Sequence, residues 1–414
     1  MNNLSILLLA IAGLFFQQCT QTEAPDPTDT INTSIDCTEN EAACDLVTTV
    51  NDFGFDVFQK LHASKTDENS FISPLSISTA LSMVLNGADT DTKTAIQSTL
   101  NLKDWQLEEI NKAYLALLTQ LPELDEKVKL QIANSIWYKE GFDVLPSFLD
   151  VNSEFYKSEI QELDFLKTDA VNIINSWVED KTEGLIDKIL NEIPAEAVMY
   201  LINAIYFKGD WTHTFDEQFN YESNFFITEN AQERVEYMSR GKAPLAYFEN
   251  ELFQAVNLPY GDSLYAMSIF LPKPTQDINA VVEALSTENW AAWNEAYQTT
   301  EVAFSMPKFE LKYEKKLNEV LMDLGMGIAF SGKADFSKIN GKGGLKISEV
   351  RHKSFIRVDE QGTEAAAVTI IGIETTSVPS YPIMEVNRPF VFVIRDHQTN
   401  SALFIGKVMN PNAG

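Results

Sequence analysis

The sequence predicts an α+β fold, and three local patterns carry that prediction. Within Val50 to His62, Phe53, Val57, Phe58 and Leu61 recur at three- and four-residue steps, the rhythm of an amphipathic helix. Val256-Asn257-Leu258 and Leu264 to Leu271 are apolar runs joined by Tyr260-Gly261-Asp262-Ser263, which is ordinary hairpin chemistry. Late in the chain, Gly362 to Ile373 alternates with period two. Thr363, Ala365, Ala367, Thr369, Ile371 and Ile373 share one face of a strand, and Glu364, Ala366, Val368, Ile370 and Glu374 share the other.

The bulk properties narrow the function classes. The chain has 414 residues and is 45% hydrophobic, ample for a sizeable core. No internal repeat or second domain is evident, so the length reads as one large fold. Acidic residues number 60 against 31 basic, a net charge of −29. That argues against nucleic acid and against anionic membrane surfaces, which call for basic patches.

Residues 1–18 read as a signal peptide. Leu4 to Phe16 is an apolar run of signal-peptide length, too short for a comfortable membrane span, although Met1-Asn2-Asn3 carries no Lys or Arg. Cys19 follows at once, as the lipidated cysteine does in bacterial lipoproteins, but Gln17-Gln18 stands where small residues are usual. Lipidation at Cys19 and plain cleavage nearby are both compatible with this pattern. Either way the chain is expected to be exported, as an extracellular or cell-surface protein. Residues 19–46 read as a flexible tether, because Thr20 to Asp45 has few large apolar residues to offset its ordering entropy. With lipid on Cys19, Cys37 and Cys44 can pair in an oxidising compartment.

The folded body is expected over residues 47–414. After the first helix, Asn69 to Ser76 reads as a short strand running into a helix that Ser73 caps and Pro74 opens. Ile77 to Gly87 continues it, with Gly87 as its stop. The stretch from Asp359 to Pro389, DEQGTEAAAVTIIGIETTSVPSYPIMEVNRP, is too apolar for an ordinary solvent loop and too rich in small residues for an ordinary core strand. It reads as a loop with a second role as a strand. Gly362 supplies backbone freedom where the loop turns into the sheet. Thr375-Thr376-Ser377-Val378-Pro379 suits an extended, exposed segment.

Glu360-Gln361-Gly362-Thr363-Glu364-Ala365-Ala366-Ala367 resembles the hinge of inhibitory serpins, and Val386 to Pro411 resembles the closing strands of that family. NSFISPLSISTALSMVLNGA and MPKFELKYEKKLNEVLMDLGMGIAF are similar to serpin segments as well, so the resemblance spans roughly residues 47 to 412. It implies a bacterial secreted or lipoprotein-type serpin with three β-sheets, about eight or nine helices and an exposed reactive-centre loop. It also places Gln131 to Tyr138 and Val198 to Trp211 in central strands and Ile173 to Thr182 in a helix. Ser73, Ser76, Asn203 and His352 match a polar cluster beneath the central sheet, with His352 expected to partner Asn203. Capping alone is the other reading of the two serines. Trp211 matches the point where the loop enters the sheet.

The activity implied is inhibition of a serine protease by a suicide-substrate route. The loop, held outside a five-stranded sheet, is cleaved, inserts as a new strand and traps the acyl-enzyme. Counting from Gly362 places the cut at Thr376-Ser377, whereas counting back from Asn387 points nearer Val378. No Lys or Arg occurs from Gln361 to Asn387, and Thr376 is small and β-branched, so elastase- or subtilisin-like proteases are the expected partners. A monomer is expected. A non-inhibitory binding protein of the same fold is the alternative, although Thr363, Ala365, Ala366 and Ala367 lack the bulk or charge that spoils such hinges.

Three enzyme signatures fail on inspection. Gly261-Asp262-Ser263-Leu264 spells a GDSL hydrolase motif, but the serine comes late, and neither His352 nor His397 lies in Asp-x-x-His. Gly327-x4-Gly332-Lys333 is one residue short of a phosphate loop, with Ala334 in place of the hydroxyl. Four scattered histidines offer no metal spacing, so no metal and no cofactor are expected.

Overall fold

The computed structural model describes Cys37, residues 40–363 and residues 381–413. Helix α1 (Glu41–Ser64) begins inside the stretch read as a tether. Ala43, Leu46, Val47 and Val50 form one buried stripe at helical spacing, so the apolar face starts earlier than Val47 and carries the helix with it. Cys37 is disulfide-bonded to Cys44, with 5.8 Å between their Cα atoms, which ties the chain upstream to the first turn of α1.

The chain continues through β1 (Ser70–Ile72), α2 (Pro74–Leu85), α3 (Thr90–Thr99) and α4 (Leu107–Gln120) to β2 (Val128–Lys139). Then come α5 (Pro146–Tyr156), β3 (Glu159–Leu163), α6 (Ala170–Lys181) and β4 (Met199–Asp210). A run of strands follows: β5 (Tyr221–Thr228), β6 (Ala231–Glu249), β7 (Phe253–Tyr260) and β8 (Tyr265–Pro272). After α7 (Ile278–Glu283) and α8 (Thr287–Ala296) come β9 (Gln298–Pro307), β10 (Phe309–Lys316) and two single-turn helices, α9 (Asn318–Leu321) and α10 (Ser337–Asn340). The chain ends with β11 (Arg351–Val358), β12 (Gly362–Thr363), β13 (Ile383–Glu385), β14 (Phe390–Asp396) and β15 (Ala402–Val408).

Local chemistry explains several of these boundaries. Ser73 caps α2, its hydroxyl accepting the Ser76 amide at 3.2 Å, and Pro74 occupies the first turn. Gly87 acts by space rather than as a left-handed cap, since a Cβ there would lie 2.4 Å from the Ile339 side chain. Strands β7 and β8 pair as the expected hairpin, with the turn at Gly261 to Leu264.

The strands form three sheets, of nine, four and two strands. The nine-stranded sheet runs β1-β15-β14-β8-β7-β6-β9-β13, with β5 paired to β6. Every residue of β8, β14 and β15 is buried, and the Phe71 ring stacks on Phe404 and Phe392 behind α1 and α2. The four-stranded sheet runs β12-β4-β2-β3, and β10 pairs with β11 apart from it. This divides the expected five-stranded sheet: β4, β2 and the shorter β3 stand on one side, β10 and β11 on the other, and β4 and β11 share no ladder among the described residues. A smaller apolar cluster covers the outer face, where Ile174 and Val178 of α6 pack with Trp137 and Ile202.

Candidate functional site: a hinge at the mouth of an open sheet

After β11 the chain turns back on itself. The Asp359 carboxylate accepts the Gln361 amide at 3.0 Å, and the Asp359 amide donates to the Gly362 carbonyl at 3.2 Å. Gly362 then lies antiparallel to Asp210, and Thr363 to Gly209, as a two-residue strand on the edge of β4. Gly362 has a φ of +144°, and a Cβ there would sit 2.3 Å from the Gly209 carbonyl oxygen. Only glycine fits on both counts.

Trp211 grips this turn from below. Its amide donates to the Gln361 carbonyl at 2.8 Å and its indole Nε1–H to the Asp359 carbonyl at 3.0 Å. Its ring stacks on Tyr260 at 4.3 Å, which locks its orientation. The Phe215 amide donates to the Glu360 carbonyl at 2.8 Å. The Glu360 side chain is 6% exposed, pairs with Lys308 at 3.0 Å and accepts from the Asn220 amide. Burial would push the Glu360 carboxyl up, but the Asn220 amide and the Lys308 ammonium hold it below the usual carboxylate range. The turn is thus held by Trp211 together with Phe215, Asn220 and Lys308, the last three of which sequence reasoning missed.

Below the hinge, a cavity of about 490 Å³ separates β4 from β11. Ile77, Leu81, Leu201 and Ile347 line it with Ser76, Asn203 and His352. Ser73 is fully buried beside it, and its amide donates to His352 Nε2 at 3.2 Å. Accepting at Nε2 requires the neutral ring with its proton on Nδ1. Burial accordingly pushes the His352 pKa down to about 4.

One expected pairing does not form. Asn203 donates to Asn134 Oδ1 at 2.7 Å, not to His352, because Asn134 stands directly opposite it in the β2–β4 register. Asn134 in turn donates to the Tyr156 carbonyl at 2.7 Å. The signal was present in an Asn within the apolar run Gln131 to Tyr138. Asn203 Oδ1 is buried and has no donor among the described residues. Asn203 is also among the residues that line the cavity.

Glu364, Ala365, Ala366, Ala367, Thr376 and Ser377 lie outside the described residues, as does Cys19. The hydrolase motif also has a structural answer. His397 does approach Ser263, but its Nδ1 lies 2.7 Å from the Ser263 backbone carbonyl oxygen, whereas the Ser263 hydroxyl sits 3.3 Å from that of Thr212. No base therefore addresses the hydroxyl.

Comparison with known proteins agrees with this geometry. A family model described as Serpin (serine protease inhibitor) matches residues 48–411. The Leukocyte elastase inhibitor of Xenopus laevis is 34% identical over 370 residues, covering 87% of this chain and 97% of that relative. Among solved structures, the thermophilic serpin Tengpin in its native state superposes with a TM-score of 0.80 at 39% identity, covering 88% of this chain and 94% of that one. Human thyroxine-binding globulin, in a structure that holds its thyroxine ligand, superposes with a TM-score of 0.81 at 30% identity, covering 89% of this chain and 99% of that one.

Proposed function

The chain belongs to the serpin family, and from that premise we propose that it is a suicide inhibitor of serine proteases, cleaved at Thr376-Ser377. The observation that carries this reading is the register of β12 on β4. Continued through the following residues, that register sets Glu364 opposite Lys208 and reaches Ile373 opposite Met199. Ala365, Ala367, Thr369, Ile371 and Ile373 then fall opposite Phe207, Ile205, Asn203, Leu201 and Met199. Phe207 and Ile205 belong to the main core, with Leu201 and Met199 packed against it, whereas Ile202 faces the α6 cluster. On insertion in that register the glutamate-free face of the segment would meet the core, and both glutamates would stay outside. On insertion in that register Thr369 would come level with Asn203, whose buried Oδ1 has no donor among the described residues, and the threonine hydroxyl would supply one.

The chemistry follows. The protease serine oxygen attacks the Thr376 carbonyl carbon, the bond to the Ser377 nitrogen breaks, and that amine departs with the transferred proton. The new ester ties the protease to Thr376. The freed upstream segment, on the order of 14 residues at ~3.3 Å each, spans about 45 Å as a strand and carries the protease with it. The slot holds this energy in advance, since the uncleaved sheet lacks one strand it can accept. A small residue at 376 and no Lys or Arg from 361 to 387 favour elastase- or subtilisin-like targets. The Cys37–Cys44 disulfide fits an inhibitor that works outside its cell.

Incubation with a panel of elastase- and subtilisin-type proteases is expected to yield an SDS-resistant complex containing the upstream fragment. Cleaved inhibitor beside fully active protease across the panel would refute the proposal. That result would favour a non-inhibitory binding protein of the same fold, and binding is what thyroxine-binding globulin's name describes for that protein.

A further inference from the structure

We propose that His62 and Lys407 form an acid-sensitive latch that holds the end of α1 against β15. The two residues lie 345 positions apart, and both are buried, His62 at 5% exposure and Lys407 at 0%. Lys407 Nζ lies 2.9 Å from His62 Nδ1 and donates to the Lys65 carbonyl at 3.1 Å and the Thr66 carbonyl at 2.9 Å. Those carbonyls come directly after the last turn of α1, where helix backbone oxygens run out of amide partners. Lys407 also stands opposite Ser70 in the ladder of β15 with β1. One ammonium therefore joins the helix end, the turn after it and the sheet.

The geometry fixes the protonation of the closed latch. A charged ammonium has three N–H bonds and no lone pair, so His62 Nδ1 must accept, and the ring is neutral with its proton on Nε2. Burial lowers the Lys407 pKa to about 8, against the pull of Asp67 and Glu68, so it stays charged at neutral pH. His62 is lowered from its ordinary 6.5, first by burial and then by Lys407, while Asn279, Asp277 and Glu283, in α7 and its cap, pull it back up. A second proton on the ring would occupy Nδ1, remove the acceptor and set two cations 2.9 Å apart.

A cavity of about 450 Å³ gives that proton access. His62 lines it together with Asp56, Gln59, Lys60, Thr66 and Asn279. An open latch leaves His62 at its ordinary value, whereas the closed latch holds it lower, so opening takes up one proton as the pH falls. The stability that the closed latch supplies is therefore fully present above pH 6.5 and is lost as pH falls through the lowered value. The latch lies in the seam between α1 and β15 and uses none of the residues that hold the hinge or line the slot. This inference goes beyond protease inhibition and does not require it.

Two measurements on the full chain test the latch. In histidine-resolved NMR the His62 midpoint is expected below 6.5 in the wild type, and it should move up in Lys407→Met, where the neighbouring cation is gone. The second measurement is amide hydrogen exchange over residues 60–69 in wild type and His62→Gln. Glutamine keeps an oxygen for Lys407 and cannot titrate. The two chains are expected to exchange alike at pH 7.5. Below pH 6.5 the wild type should gain on the variant by up to about tenfold per pH unit, the limit for one proton. A wild-type midpoint at or above 6.5, a midpoint unmoved in Lys407→Met, or equal exchange at pH 5 overturns the proposal. Should Lys407→Met not fold, the exchange comparison decides alone. Neither readout involves a protease, so failure here is distinguishable from failure of the inhibitory reading.

Discussion

The nine-stranded sheet and the divided sheet are built from similar apolar strands, yet one is closed and the other is not. In β8, β14 and β15 every residue is buried, and each strand has partners on both edges. Packing there is tight enough that a Cβ on Gly406 would come within 2.2 Å of the Phe392 ring. The β4 strand is different. One edge is fully paired with β2, whereas the other carries only the two residues of β12 among the described residues. Beyond them lies the 490 Å³ cavity, with Met199 to Leu201 only partly buried. Among the described residues that edge borders the cavity, and the chain's own hinge is the segment that reaches it. Stability therefore resides in the first sheet, and capacity for change in the second.

The widest test of this contrast is Thr363→Arg. On the glutamate-free set of the segment, an arginine would carry an unpaired charge into the core side of the slot. Complex formation with a responsive protease should fall roughly 100-fold or more. Inhibition that survives this change would mean the slot does not take the segment.

Phe392→Ala probes the closed sheet instead. It should cost about 3–5 kcal/mol in chemical denaturation, by the same amount before and after cleavage of the loop. A loss confined to one form would show that the two regions are not separable.

The third test is acid. The His352 pKa of about 4 is depressed below the ordinary value of 6.5, so its contribution is fully present above pH ~6.5 and is lost as pH falls. Between pH 7 and pH 5 this residue should account for about 2 kcal/mol of lost stability. His397, also held near 4, chiefly by burial and then by Arg395, adds a comparable loss at the rim of the closed sheet. His352→Gln should remove roughly half of the combined acid sensitivity. Denaturation curves at the two pH values check it, and an unchanged slope in the variant would place the sensitivity elsewhere.

Much of this architecture was legible beforehand because it rests on local pattern. The stripe of α1, the Ser73-Pro74 start of α2 and the Gly261 turn follow from spacing and turn chemistry that involve only near neighbours. Gly362 was also readable as a special position, since a glycine before an alternating run announces a change of direction. Where the reading slipped, the cause was distance in sequence. The partner of Asn203 is Asn134, and only the pairing of β2 with β4 brings them opposite. Gly87 looked like a helix stop, but its need is to clear Ile339, far along the chain. The start of α1 lay earlier than expected because its first buried residues are too few to outweigh a polar neighbourhood until tertiary contacts are counted.

The linear order of residues was enough to specify that a small-residue, alternating segment follows a flexible glycine, and that its charges all lie on one face. It could not specify that β4 and β11 share no ladder among the described residues, that Asn134 meets Asn203 across β2 and β4, or that Phe215, Asn220 and Lys308 seat the hinge. Those facts belong to pairs of residues separated by long stretches of chain, and only the folded backbone, by deciding which edges meet and which do not, brings them into being.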